Sequence, residues 1–175
     1  MSFVWKQLDE WLSSNAPEAY LSLNPPATEG QIAAAEERMG LSFPASLRGT
    51  YLAHDGESDD SAGLFNSWML LPLLRVVEHW EEFVQLEEDD PGGWGDGDFS
   101  AKTSIPVMWF EGEIRYVTTS GPTAGAVYEL PRHGKPVLLA PSFDCFLENT
   151  YRQCVDGSLI VEPDFGYNLV LAAGA

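Results

Sequence analysis

Val4, Leu8 and Trp11 recur at helical spacing, with Trp5 and Leu12 flanking the stripe, so the chain is expected to open with an amphipathic helix. The proline-containing run "LNPPATEG" breaks it. A second helix starts at Thr28, where "TEGQ" sets a capping box with Gln31 at the reciprocal position. Its apolar face is Ile32, Ala35 and Met39, and Gly40 is a natural stop, because glycine accepts the left-handed backbone that closes a helix. The pattern predicts a third helix from about Pro44, with Leu47 and Tyr51 on its inner face, His54 in its last turn and Gly56 at its end. Gly49 in its middle weakens it by about 1 kcal/mol of propensity.

Beyond the polar loop "SDDSAGLFN", the run "SWMLLP" reads as a short buried strand. Leu73, Val77, Trp80 and Val84 give another helical stripe, which runs into "LEEDDPGGWGDGDFS", an exposed loop by its Gly and Asp content. The period then changes. Ile105, Val107 and Trp109 alternate with Pro106, Met108 and Phe110, "EG" offers a turn, and "EIRYVTT" continues as a second strand. "AVYEL" is a third strand, and "VLLA" a fourth after the turn "PRHGKP". Ser142 is placed to cap a last helix, "FDCFLENTYRQCV", with Phe143, Leu147 and Thr150/Tyr151 on one face. Helices, then consecutive antiparallel strands, then a helix define an α+β class: N-terminal helices, a central antiparallel sheet of about four to six strands, and a C-terminal helix. No internal repeat or linker divides the chain, so residues 1–175 are expected to form one domain.

Charge changes the picture. There are 27 Asp+Glu against 9 Lys+Arg, a net charge of -18. Such a surface repels nucleic acid and anionic membranes and attracts a basic protein, although acidic charge also serves solubility alone. The start, "MSFVWKQLDEWLSSN", lacks the basic region, long apolar core and small-residue cleavage site of a signal peptide. Apolar runs such as "SWMLLPLL" fall short of a membrane span, so a cytoplasmic protein is expected. Cys145 and Cys154, if on one helix, point to opposite faces about 13 Å apart along it, which forbids a disulfide. His54, His79 and His133 are scattered without zinc-ligand spacing, and neither a metal nor another cofactor is expected.

Plainer readings outweigh the candidate chemistry. His54 and Asp55 are sequence neighbours, which diverge by about 100° on a helix, so Asp55 is poorly placed to orient the imidazole. No nucleophile elbow surrounds Ser58. "HDG" therefore reads as a helix end rather than as part of a hydrolytic site. "TSGPTAG" lacks the Gly-Lys-Ser/Thr ending of a phosphate loop and leads into a strand, so it reads as a strand connection. Asp89, Asp90, Asp96 and Asp98 miss the spacing of an EF-hand calcium loop. Trp5, Trp11, Trp80 and Trp109 lie at periodic, core-like positions; Trp94, among glycines and aspartates, does not, and is a candidate interface anchor.

The order of these segments resembles the SUKH superfamily. The resemblance rests on Ile32, Glu36 and Gly40 of the second helix, Phe43-Pro44, Leu47, Tyr51, and His54-Asp55-Gly56. It continues through "LLPLLRVVEHWEEF" with Trp80, and through "GAVYELPRHGKPVLLAPSFDCFLENT" with Gly125, Val127, Ser142, Phe143, Phe146 and Leu147. One departure is "RYVTTSG", where an Asp-Leu-Asp-like stretch is usual. The resemblance implies a non-catalytic binding module. It would be an immunity protein neutralising a polymorphic or contact-dependent toxin, many of which are nucleases, or alternatively a regulatory scaffold like the fungal regulators of cell-wall synthesis. A nuclease needs a basic cleft, which an acidic inhibitor suits. Between Glu78 and Asp98 there are nine acidic residues and no Lys or Arg. The residues expected to contact a basic partner are Asp55, Glu57, Asp59 and Asp60 in one cluster, and Glu87, Glu88, Asp89, Asp90, Asp96 and Asp98 with Trp94 in another. Residue by residue, a solvated face remains the plainer reading of each cluster.

Overall fold

Each apolar stripe is realised as a helix whose striped side is buried. The computed structural model describes residues 3–92, 99–162 and 168–172. Helix α1 (Phe3–Asn15) buries Val4, Trp5, Leu8 and Leu12. A five-residue helix, α2 (Pro17–Leu21), follows and was not legible in the pattern. Helix α3 (Glu29–Met39) has the expected capping box, with Gln31 N–H donating to Thr28 Oγ1 (3.2 Å) and Thr28 N–H to Gln31 Oε1 (2.8 Å). Gly40 closes it at φ 66°.

Helix α4 (Ala45–Tyr51) is shorter than expected at both ends. Pro44 is extended, with ψ 149°, so the helix starts one residue later. The chain leaves it after Tyr51, although His54 N–H still reaches the Thr50 carbonyl at 2.9 Å. Gly56 is left-handed as expected, at φ 67°, but it turns the chain after the helix instead of closing it.

The two-residue strand β1 (Met69–Leu70) leads into α5 (Leu73–Asp89), then a 3-10 turn at Ala101–Thr103. Strands β2 (Ser104–Phe110), β3 (Glu113–Thr118), β4 (Val127–Leu130) and β5 (Val137–Ala140) follow, then α6 (Phe143–Asp156). Strands β1 to β5 form one antiparallel meander in chain order, with a register shift between Pro106 and Met108. Its edges are β1, two residues long, and β5, which exposes Val137 and Leu138 between Pro136 and Pro141.

The meander lies between two apolar layers. On one face Ile114, Tyr116 and Leu130 join Phe83 of α5, Phe99 and Ala101. On the other, Met108, Val117 and Val127 belong to the main core with Trp5, Leu47, Phe143 and Leu147. Past α6 comes an unforeseen antiparallel ribbon, β6 (Leu159–Glu162) with β7 (Asn168–Leu171), whose Leu159 and Leu169 enter the main core. Cys145 and Cys154 are both on α6 and free. No described helix is long and apolar enough to cross a membrane.

Candidate interaction surface

The motif residues sit where they hold elements together. Glu36 accepts from Phe43 N–H (2.7 Å) and pairs with Arg48 (2.8 Å), tying α3 to the start of α4. Tyr51 is fully buried and its hydroxyl donates to the Leu71 carbonyl at 3.0 Å. His54 Nδ1 is 3.1 Å from the Asn24 carbonyl and Nε2 is 3.0 Å from Asp9 Oδ1, while Trp5 packs against its ring at 4.9 Å. No serine hydroxyl is among those partners. Asp55 Oδ1 accepts from Leu73 N–H at 2.8 Å, satisfying an orphan donor in the first turn of α5. Asn24 completes the knot: its side chain donates to the carbonyls of Asp55 (3.0 Å) and Glu57 (2.9 Å). Gly56 passes so close to the next segment that a Cβ there would stand 2.4 Å from Pro72 N.

Glu57 corrects an expectation. Its sequence setting points to a contact surface, yet it is 0% exposed. Its Oε1 accepts from Leu70 N–H (2.7 Å), and Oε2 from Leu64 N–H (2.9 Å) and the Ser61 hydroxyl. Those donors favour the carboxylate, but removal from water disfavours it more, and the acid's pKa is pushed up to about 7. Glu57 organises the loop leading to β1 and leaves the set of contact residues.

The remaining acidic positions divide by what they already bind. Glu87 is half-buried and both its oxygens are engaged, with the Ser100 hydroxyl (2.8 Å) and Ala101 N–H (2.7 Å). Glu88 pairs with Lys102 at 2.9 Å, and Asp89 accepts from Gln85 at 3.0 Å; both are exposed, as is Asp90. Asp59 and Asp60 are exposed, and Asp60 shares a shallow depression with Glu18. Trp94, Asp96 and Asp98 lie outside the described residues. The structure does not bring the clusters together: Asp55 holds the first turn of α5, and Glu87 to Asp89 form its last, about 25 Å away by helix rise. No group of His, Cys, Asp and Glu side chains among the described residues is arranged to hold a metal ion.

The chain is 33% identical over 79 residues to the "Cell wall assembly regulator SMI1" of Saccharomyces cerevisiae, covering 42% of this chain and 16% of the regulator. It is similar to a "KNR4/SMI1 homolog" of Kluyveromyces lactis, at 33% over 91 residues, covering 49% of this chain and 17% of that protein. A further KNR4/SMI1 homolog, from Eremothecium gossypii, is 33% identical over 79 residues, 42% of this chain and 12% of the relative. The chain thus matches a small part of these curated relatives. The model of the SMI1/KNR4 family (SUKH-1) matches residues 26–149, which run from the α3 cap through the knot and the meander into α6. The chain belongs to the SMI1/KNR4 family (SUKH-1).

Proposed function

We propose that this protein is a non-catalytic, cytoplasmic binding module that neutralises a basic toxin domain, engaging it through the acidic end of α5. The observation that carries the reading is the distribution of acidic charge. Glu88, Asp89 and Asp90 project at the helix end, in a chain of net charge -18, while the family's motif residues are engaged in holding the fold. An acidic patch of this kind speeds encounter with a basic cleft and suppresses other partners. A second reading, a regulatory scaffold that binds a cellular protein, draws on the similarity to the yeast relative, a cell wall assembly regulator.

Co-expression with each toxin encoded beside the gene tests the first reading: restored growth and co-purification are expected. The absence of any toxin gene beside this one, with capture of housekeeping proteins alone, would favour the scaffold. With the partner in hand, Glu88→Gln, Asp89→Asn and Asp90→Asn together should slow association and flatten its salt dependence, with little change in dissociation. Trp94→Ala should instead shorten residence time, by the equivalent of about 2 kcal/mol. Unchanged rates for both variants at low and high salt would move the contact face elsewhere, with Asp59 and Asp60 next to be tested.

A further inference from the structure

We propose that the cavity between α6, the meander and the terminal ribbon is a binding site for a carboxylate, with Arg115 as its anchor. This goes beyond the acidic contact surface and does not depend on it. The cavity measures about 270 Å³, and Asn66, Arg115, Phe146, Asn149, Gln153 and Leu171 are among its lining residues. Arg115 stands on the inner face of β3, opposite Met108 on β2 and Glu129 on β4. Its neighbours on that face, Met108, Val117 and Val127, are apolar core residues. Its own side chain is only 12% exposed.

The guanidinium is held in place and incompletely used. Its carbon lies 4.1 Å from the centre of the Trp68 ring and 5.7 Å from that of Phe146, so aromatic faces fix its plane. Nε and Nη2 both reach a single oxygen of Glu129, at 3.0 Å each. Among the described residues Nη1 meets only the Met108 sulfur, at 4.0 Å. An arginine offers five N–H donors, so strong donors remain beside the cavity. A nearly buried ion pair costs desolvation, and an apolar pair would serve packing alone at least as well. A ligand that takes up the remaining donors gives the cation a role that packing does not. Asn149 and Gln153, about one turn apart on α6, add side-chain amides for a second oxygen. Asn66, at the cavity, is left-handed at φ 58°, an uncommon backbone state that clusters in ligand-binding loops.

The guanidinium fork selects a planar, two-oxygen acid. The net charge of -18 disfavours a polyanion, so the ligand carries one carboxylate, either on a small free acid or at the end of a peptide chain. The test titrates the full chain at low salt with butyrate, with an acetylated tetrapeptide bearing a free terminal carboxylate, and with the amide of that peptide. Side-chain NMR signals of Arg115, Asn149 and Gln153 are followed. A saturable shift at these residues with either acid, and none with the amide, is expected. A response to butyrate assigns a small acid; a response to the free peptide alone assigns a chain terminus. Arg115→Lys keeps the charge but loses the fork, and Gln153→Glu places a negative charge on an exposed helix position where folding is undisturbed. Each should weaken binding by about tenfold or more. The proposal is overturned if no acid gives a saturable shift up to about 10 mM, or if affinity is unchanged in Gln153→Glu.

Discussion

Replacing Glu57 with glutamine should turn a pH-dependent stability into one nearly independent of that site. The folded acid binds its proton with a pKa of about 7, against 4.5 for a glutamate side chain in water. Between those values the unfolded chain has released the proton and the folded chain still holds it. Stability therefore falls as pH rises through this window; the contribution is complete below 4.5 and gone above about 7. A displacement of that size corresponds to about 3 kcal/mol at 1.36 kcal/mol per pKa unit. Solubility is poorest near the sequence pI of about 4.2, so urea unfolding is best followed from pH 5 to pH 8, where most of the change falls. The quantity to plot is the stability of the native chain minus that of Glu57→Gln, because the other carboxylates cancel in the difference. Glutamine lowers stability at every pH, since its amide must face one of the donors at Leu64, Leu70 or Ser61. The difference should nevertheless shrink steadily with rising pH. A flat difference would refute the reasoning: the three donors would then hold Glu57 ionised throughout.

Gly56→Val should be more damaging than the loss of a left-handed glycine alone, which costs about 1–2 kcal/mol, because its Cβ would meet the backbone of Leu71 and Pro72 at 2.4–2.6 Å. A thermal melt should show the variant unfolded or lowered by well over 10 °C. Asp55→Ala should cost about 1 kcal/mol by freeing Leu73 N–H, with Asp55→Asn retaining most of it, as read by urea midpoints. Glu87→Gln should lower stability even without a partner, because both oxygens anchor the turn at Ala101, whereas Asp90→Asn should leave the unfolding midpoint unchanged. Equal effects of those two substitutions on unfolding would contradict the separation between structural and exposed acids.

The helices other than α2, and the longer strands of the meander, were legible because their patterns are long. Thr28 with Gln31, the Ile32–Ala35–Met39 face and the alternation after Ile105 each repeat a period often enough to be read. The four-residue strands β4 and β5 were read from the turn "PRHGKP" between them, whereas the ribbon, whose strands are no shorter, lies beyond the last expected helix and was not read. Glu57 reads like Asp59 and Asp60 in sequence, and only the folded positions of Leu64, Leu70 and Ser61 reveal a buried carboxylate. Arg115 alternates with Ile114 and Tyr116 as a solvent-facing residue would, and α6 covering that face is what makes it interior. The structural reading of "HDG" followed from local geometry, whereas the partners of His54, Asp9 and Asn24, lie 45 and 30 residues away from it and leave no local trace.

The short ends of the meander limit how another polypeptide can approach it. One edge offers two residues, and the other is a four-residue strand with proline immediately before and after. Proline lacks the N–H that a continuing ladder needs, so an incoming strand finds neither a long nor an extendable row of backbone partners. Strand addition to the meander, with its sequence-tolerant backbone pairing, is thereby disfavoured. A polypeptide approaching the meander would meet side chains on helices and loops, which can change without disturbing the sheet.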